Sequence, residues 1–141
     1  KTGIYISKNT GEGWLENVQF NPHYWLRSPG FPKAKEPDFQ TLVAFQQAHL
    51  DAFKLGGCQK EHVLGTFVYA TNRGFYFANE GAPCHADVFL HGTDAGSYGI
   101  FLNSPEGSAL NFMASQLVLL GATPNGIMAA GNAFAGKANF Y

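Results

Sequence analysis

Residues 62–103 read HVLGTFVYATNRGFYFANEGAPCHADVFLHGTDAGSYGIFLN, four apolar runs parted by turn residues. Val, Ile, Phe and Tyr dominate the runs, which predicts strands at 62–70, 74–79, 86–91 and 98–103. The first two are joined by Thr71-Asn72-Arg73-Gly74, short enough for a hairpin, and Gly81-Ala82-Pro83 and Gly92-Thr93-Asp94-Ala95-Gly96 separate the others. Antiparallel pairing is the expectation that follows.

Toward the N-terminus, residues 2–8 alternate, meet the turn cluster Asn9-Thr10-Gly11-Glu12-Gly13 and continue into 14–20, a second expected hairpin. Residues 21–37 hold Pro22, Pro29, Pro32 and Pro37, a density that forbids a regular helix or central strand. An ordered loop is expected there, anchored by Tyr24, Trp25, Leu26 and Phe31. Asp38 then offers an N-cap, and Phe39, Leu42, Val43, Ala48, Ala52 and Phe53 recur at helical spacing up to Gly56-Gly57. This predicts a helix over 38–55. On the other side, Leu110, Met113, Ala114, Leu117 and Val118 predict a second helix over 108–120, closed by Gly121 and Pro124. The order of elements implies a single α+β domain, 1–141, with an antiparallel sheet, an N-terminal β-hairpin and no long internal repeat.

Ser7-Lys8-Asn9-Thr10-Gly11-Glu12-Gly13-Trp14 resembles the Asp-box hairpin of sialidase-type β-propellers, with Asn9 in the Asp place and Gly13 in the Thr place. The likeness spans eight residues and occurs once, whereas a propeller repeats its blade. It implies a structural turn with Trp14 packed beneath it and carries no enzymatic role.

Charge is distributed unevenly. Residues 1–62 carry 13 of the 19 charged side chains, and the 30 residues from Gly107 to Gly136 carry none. A membrane span is a poor reading of that run, because Asn111, Ser115 and Gln116 interrupt it and Pro124-Asn125-Gly126 breaks it. Segment 107–141 reads instead as an assembly interface, with Leu117, Ile127, Met128, Phe134 and Phe140 as anchors, or as a tail packed on its own sheet. The net charge of −1 argues against nucleic acid as a partner. The chain begins Lys1-Thr2-Gly3, which reads as a processed or excised product. Cys58 and Cys84 would close a loop of about 26 residues if bonded, stabilising by roughly 3 kcal/mol. Such a disulfide would fit an extracellular, cell-surface or virion setting.

Three sets of residues invite chemistry. His85, Asp87, Phe89 and His91 fall on one strand face, and His85 with Asp87 could ligate a cation if His62 or Asp94 joined them. Their plainer reading is a solvent-facing polar strand side, and no metal or other cofactor is expected. Cys84 as a nucleophile would need His62 as its base, since His85 points to the opposite face. Tyr24, Trp25 and Arg27 in the loop 23–31 are residue types that stack on sugars or anchor a peptide, or that clamp the loop to its own domain. The leading functional expectation is a structural subunit that self-assembles as a homo-oligomer or polymer through its uncharged C-terminal segment. The alternatives are a secreted carbohydrate- or peptide-binding module and, behind both, a small hydrolase.

Overall fold

Phe53, Phe75 and Ile100 come from three separate stretches of chain, yet each is the direct register partner of the next across parallel strands. That single file reveals the architecture. The computed structural model describes residues 1–30, 35–118 and 126–141, and every strand pairing among them is parallel. The chain winds as a β-solenoid. One rung comprises β1 (Thr2–Ile6), β2 (Asn9–Glu16) and β3 (Gln19–Phe20); the next is β4 (Asp51–Leu55), β5 (Cys58–Leu64) and β6 (Phe67–Tyr69). The third is β7 (Arg73–Phe77), β8 (Cys84–Phe89) and β9 (Gly92–Asp94), and the fourth is β10 (Tyr98–Leu102), β11 (Ala109–Met113) and β12 (Gln116–Val118). A fifth supplies β13 (Gly126–Ala130) and β14 (Lys137–Phe140). Stacked rungs make sheet A (β1-β4-β7-β10-β13), sheet B (β2-β5-β8-β11-β14) and sheet C (β3-β6-β9-β12).

Parallel strands normally need long crossovers. Here each crossover is the other two sides of the same rung, so from the second rung onward pairing partners lie roughly 22 to 28 residues apart, within the period range of solenoids. The corner from sheet B to sheet C is made by one left-handed residue per rung: Asn17, Gly65, Leu90 and Ala114, all with φ between 52 and 62°. Each donates its N–H to a carbonyl one rung on, to Leu64, Phe89, Met113 and Tyr141 respectively, so the corners stack as a ladder of their own. Ala70 and Ala95 do the same at the corner from sheet C to sheet A.

Inside, the rungs align like residues: Ile4, Phe53, Phe75 and Ile100 in one file, Ile6, Leu55, Phe77 and Leu102 in a second, Leu15, Val63, Val88 and Phe112 in a third. Phe53 stacks on Phe75 at 4.9 Å, and Phe77 meets Phe112 edge-on at 5.7 Å. Each such fully buried side chain contributes roughly 1.5–3 kcal/mol. Small residues are required where sheet A meets sheet C: a Cβ on Gly74 would meet the Gly99 carbonyl and Thr93 Oγ1, both at 2.6 Å.

Between the first and second rungs the chain inserts α1 (His23–Arg27) and α2 (Glu36–His49). Glu36 and Asp38 suit the positive end of α2, where Pro37 costs no hydrogen bond. Its C-terminal turn is tied to the solenoid by Gln47 Nε2 donating to the Ala95 carbonyl (2.8 Å) and by Asn72 N donating to the Gln46 carbonyl (3.0 Å).

The expected α+β antiparallel fold is therefore overturned. Residues 2–20 form no hairpin, because β1 and β2 lie in different sheets. The helix expected over 38–55 ends at His49, and Asp51–Leu55 becomes β4, since Ala52, Phe53 and Leu55 are needed in the interior. The helix expected over 108–120 is β11, a corner at Ala114 and β12, with 119–120 and the closing Gly121 and Pro124 outside the described residues. Two short strands bent at a corner place Leu110, Ala114 and Leu117 at intervals that imitate a helix. Thr71-Asn72-Arg73-Gly74 likewise turns the chain from sheet C onto sheet A instead of reversing it. Among the described residues no helix is long and apolar enough to cross a membrane.

Candidate functional site

Side chains alternate along a strand, so each rung sends every second residue of sheet B outward. Register places Trp14, His62, Asp87, Asn111 and Asn139 in one outward file across all five strands. Their contacts run continuously. The Trp14 indole stacks on the His62 imidazole with ring centroids 4.3 Å apart and planes 24° from parallel, while the indole's other face leaves it 69% exposed. His62 Nδ1 is 3.8 Å from Asp87 Oδ2, Asn111 Nδ2 donates to Asp87 Oδ1 at 2.7 Å, and Asn139 Nδ2 donates to Asn111 Oδ1 at 2.8 Å. On the neighbouring outward file, Glu12 Oε1 lies 2.5 Å from His62 Nε2 and 3.7 Å from Lys60 Nζ. The hydrogen bond to His62, and then the Lys60 ammonium, hold the Glu12 carboxyl below its ordinary range. Glu12, Gln59, Lys60 and His85 line a shallow groove beside the file.

The ladder has chemical character. Trp14 offers an apolar plate fixed from behind, Glu12 and Asp87 offer acceptors, and the amides of Asn111 and Asn139 offer both donors and acceptors. The contact with Glu12 orients the His62 ring, which supports the indole above it.

The residues singled out from sequence distribute as follows. His85 points outward but is used by its own chain, Nε2 lying 3.0 Å from the Gly107 carbonyl. His91, expected beside it, faces the interior at 1% exposure because the corner at Leu90 resets the alternation. Its Nδ1 and Nε2 meet Thr66 Oγ1 (2.9 Å) and Thr93 Oγ1 (2.7 Å), and burial pushes its pKa down to about 3. No cluster of three or more potential metal ligands forms among the described residues, and Asp94 lies on sheet C, away from His85 and Asp87 on sheet B. Cys84 is buried within the solenoid while His62 belongs to its outer face, so the proposed nucleophile and base are separated by the sheet itself. Cys58 and Cys84 are register partners, unbonded and 4.3 Å apart.

In α1, His23 anchors the segment, its ring 4.8 Å from Phe39 and 4.7 Å from Tyr69. Tyr24 and Trp25 are 61% and 40% exposed, Tyr24 donating to Gln19 Oε1 at 2.9 Å, and Arg27 is exposed beside them. Phe31 lies outside the described residues. Of the C-terminal anchors, Leu117 and Phe134 pack against the core, and Phe140 stacks on Phe112 at 4.8 Å with its ring half exposed. Ile127 and Met128 belong to β13, with side chains outside the description.

Trp14, Glu12, Asn111 and Asn139 were not recognised as a group from sequence, and Trp14 is exposed where it was expected beneath a turn. The signal that joins them is the in-register recurrence G3-I-Y-I, A52-F-K-L, G74-F-Y-F and G99-I-F-L, which marks one rung after another. Comparison with family models, with curated proteins and with solved structures finds no match for this chain.

Proposed function

We propose that the chain is a binding module whose sheet B holds an extended, uncharged glycan along the file Trp14–His62–Asp87–Asn111–Asn139. The observation that carries this reading is the exposed Trp14 ring, held flat on His62 at the head of a row of planar acceptors and amides. An aromatic plate takes the apolar face of a pyranose ring, while carboxylates and amides take its hydroxyls. With strands about 4.8 Å apart, four intervals give the row a length of roughly 19 Å, which favours a chain ligand over a single sugar. Asp87 in the row and Glu12 beside it disfavour a polyanion, since phosphate recognition relies on basic groups. A module of this kind suits an extracellular or surface setting.

The test is fluorescence of a Trp25→Phe protein, in which Trp14 is the remaining indole, titrated with neutral oligosaccharides of several linkages. A saturable change that Trp14→Ala removes, with circular dichroism unaltered, is the expected result. No response to any oligosaccharide, together with unretarded migration through polysaccharide gels, would overturn the reading.

A second reading, end-on assembly, is favoured by one observation. Phe140 continues the interior stack from Phe112 and leaves its ring 45% exposed on β14, the last strand of sheet B. Stacking of a second copy there would give concentration-dependent mass in light scattering that Phe140→Asp abolishes; an invariant monomer mass would dismiss it.

A further inference from the structure

We propose that Cys58 and Cys84 are a reversible dithiol–disulfide pair, closed within one chain by a small disulfide oxidant such as oxidised glutathione and joining the second rung to the third. The two thiols sit on adjacent parallel strands, directly opposed in register, within the buried core. Neighbouring strands stand about 4.8 Å apart, inside the window of roughly 4.4–6.8 Å that a disulfide spans between its Cα atoms. The cysteines themselves are 4.3 Å apart and unbonded, so closure asks for side-chain rotation and a slight approach. The regular pairing of β5 with β8 is interrupted just beyond the pair, by a register shift between Cys58 and Glu61.

The pair also has an entrance and a division of labour. Cys58, itself 2% exposed with its thiol donating to the Ile6 carbonyl at 3.7 Å, lies beneath a surface groove lined also by Lys8, Thr10, Gln59 and Pro83, so glutathione reaches its sulfur as that groove opens, with Lys8 offering a cation to the glutathione carboxylates. The neighbouring Cys84 thiol lowers the pKa of Cys58, whereas Cys58 and burial raise that of Cys84. In the first step the Cys58 thiolate attacks one sulfur of oxidised glutathione and displaces a glutathione thiolate. In the second, the Cys84 sulfur attacks Cys58 Sγ, the bond from Cys58 to glutathione breaks, and the departing glutathione thiolate takes up the Cys84 proton. Two protein thiols are oxidised and one glutathione disulfide is reduced to two thiols, which carry off the two cysteine protons.

The experiment incubates the native protein with oxidised glutathione and follows intact mass and a peptide map. Expected are a loss of two hydrogens per monomer, a peptide linking Cys58 to Cys84, a raised denaturation midpoint and full reversal by dithiothreitol. Cys84→Ser should stop at a single glutathione on Cys58, and Cys58→Ser should react at least tenfold more slowly. The proposal is overturned if both thiols of the native protein stay free while the denatured protein cross-links, if the first adduct falls on Cys84, or if only intermolecular dimers form. The wild-type mass and peptide map decide the matter alone should either serine variant fail to fold.

Discussion

Acidification tests the interior through one residue, His91. Its imidazole sits at 1% exposure, satisfied by the hydroxyls of Thr66 and Thr93 and packed edge-on against Phe75 at 4.6 Å. Burial disfavours the imidazolium and pushes the pKa in the folded protein down to about 3, against about 6.5 in the unfolded chain. The unfolded state therefore takes up a proton below about pH 6.5 that the folded state refuses. The stability due to neutral His91 is complete above that point, falls by about 1.4 kcal/mol per pH unit, and is gone once the pH has passed below about 3. Going from about pH 7 to about pH 5 should thus cost about 2 kcal/mol, a loss insensitive to the folded value provided it lies below 5. Glu80 titrates lower: burial would raise it, but hydrogen bonds from Ser7 and Tyr5 and the Lys54 ammonium hold it at about 2. Urea unfolding followed by far-ultraviolet circular dichroism, in wild type and His91→Gln, isolates the effect. The variant loses about 1–3 kcal/mol at neutral pH through disturbed hydrogen bonding, yet its further loss on acidification should be about 2 kcal/mol smaller than that of wild type. Equal losses in the two proteins would refute the reasoning.

Two substitutions probe the rungs directly. Leu90 holds φ at 55° with its side chain 59% exposed, so Leu90→Asn relieves a strained corner at little cost in burial and should stabilise by about 1 kcal/mol in chemical denaturation. Gly74→Ala drives a methyl against the Gly99 carbonyl and Thr93 and should destabilise by about 2–3 kcal/mol, read as a fall in the urea midpoint.

Strands were legible in the sequence over 62–103, whereas β4, β11 and β12 were read as helix and strand direction was not legible at all. The runs around Val63, Phe75, Val88 and Ile100 announce themselves through β-branched and aromatic residues, but a one-residue corner and a hairpin turn draw on the same Gly, Asn and Thr vocabulary. Repetition would have resolved the ambiguity. It is hidden because the rungs differ in length, with extra residues at 78–83 and 103–108 and a helical insertion after Phe20, so no fixed period survives. Helix α2 could be read because Pro37, Asp38 and the apolar spacing act locally. It was carried too far because Ala52 and Phe53 continue that spacing while serving a strand. The candidate site depends on long-range register: Trp14 and Asn139 join one file only once the three strands of sheet B between them have been laid down. The charge-free stretch has a structural source as well, since Leu110 and Phe112 fill the interior while Asn111, facing outward between them, pairs through its neutral amide.

The most direct measurement of the central claim is a two-dimensional 15N–1H spectrum recorded during titration with the neutral oligosaccharide that gives the strongest fluorescence response. The Trp14 indole N–H, the Asn111 and Asn139 side-chain amides and the backbone amides of His62 and Asp87 should shift together with one dissociation constant, although they are scattered along the sequence. Shifts confined to Tyr24, Trp25 and Arg27 on α1, or a spectrum unchanged at saturation, would contradict it.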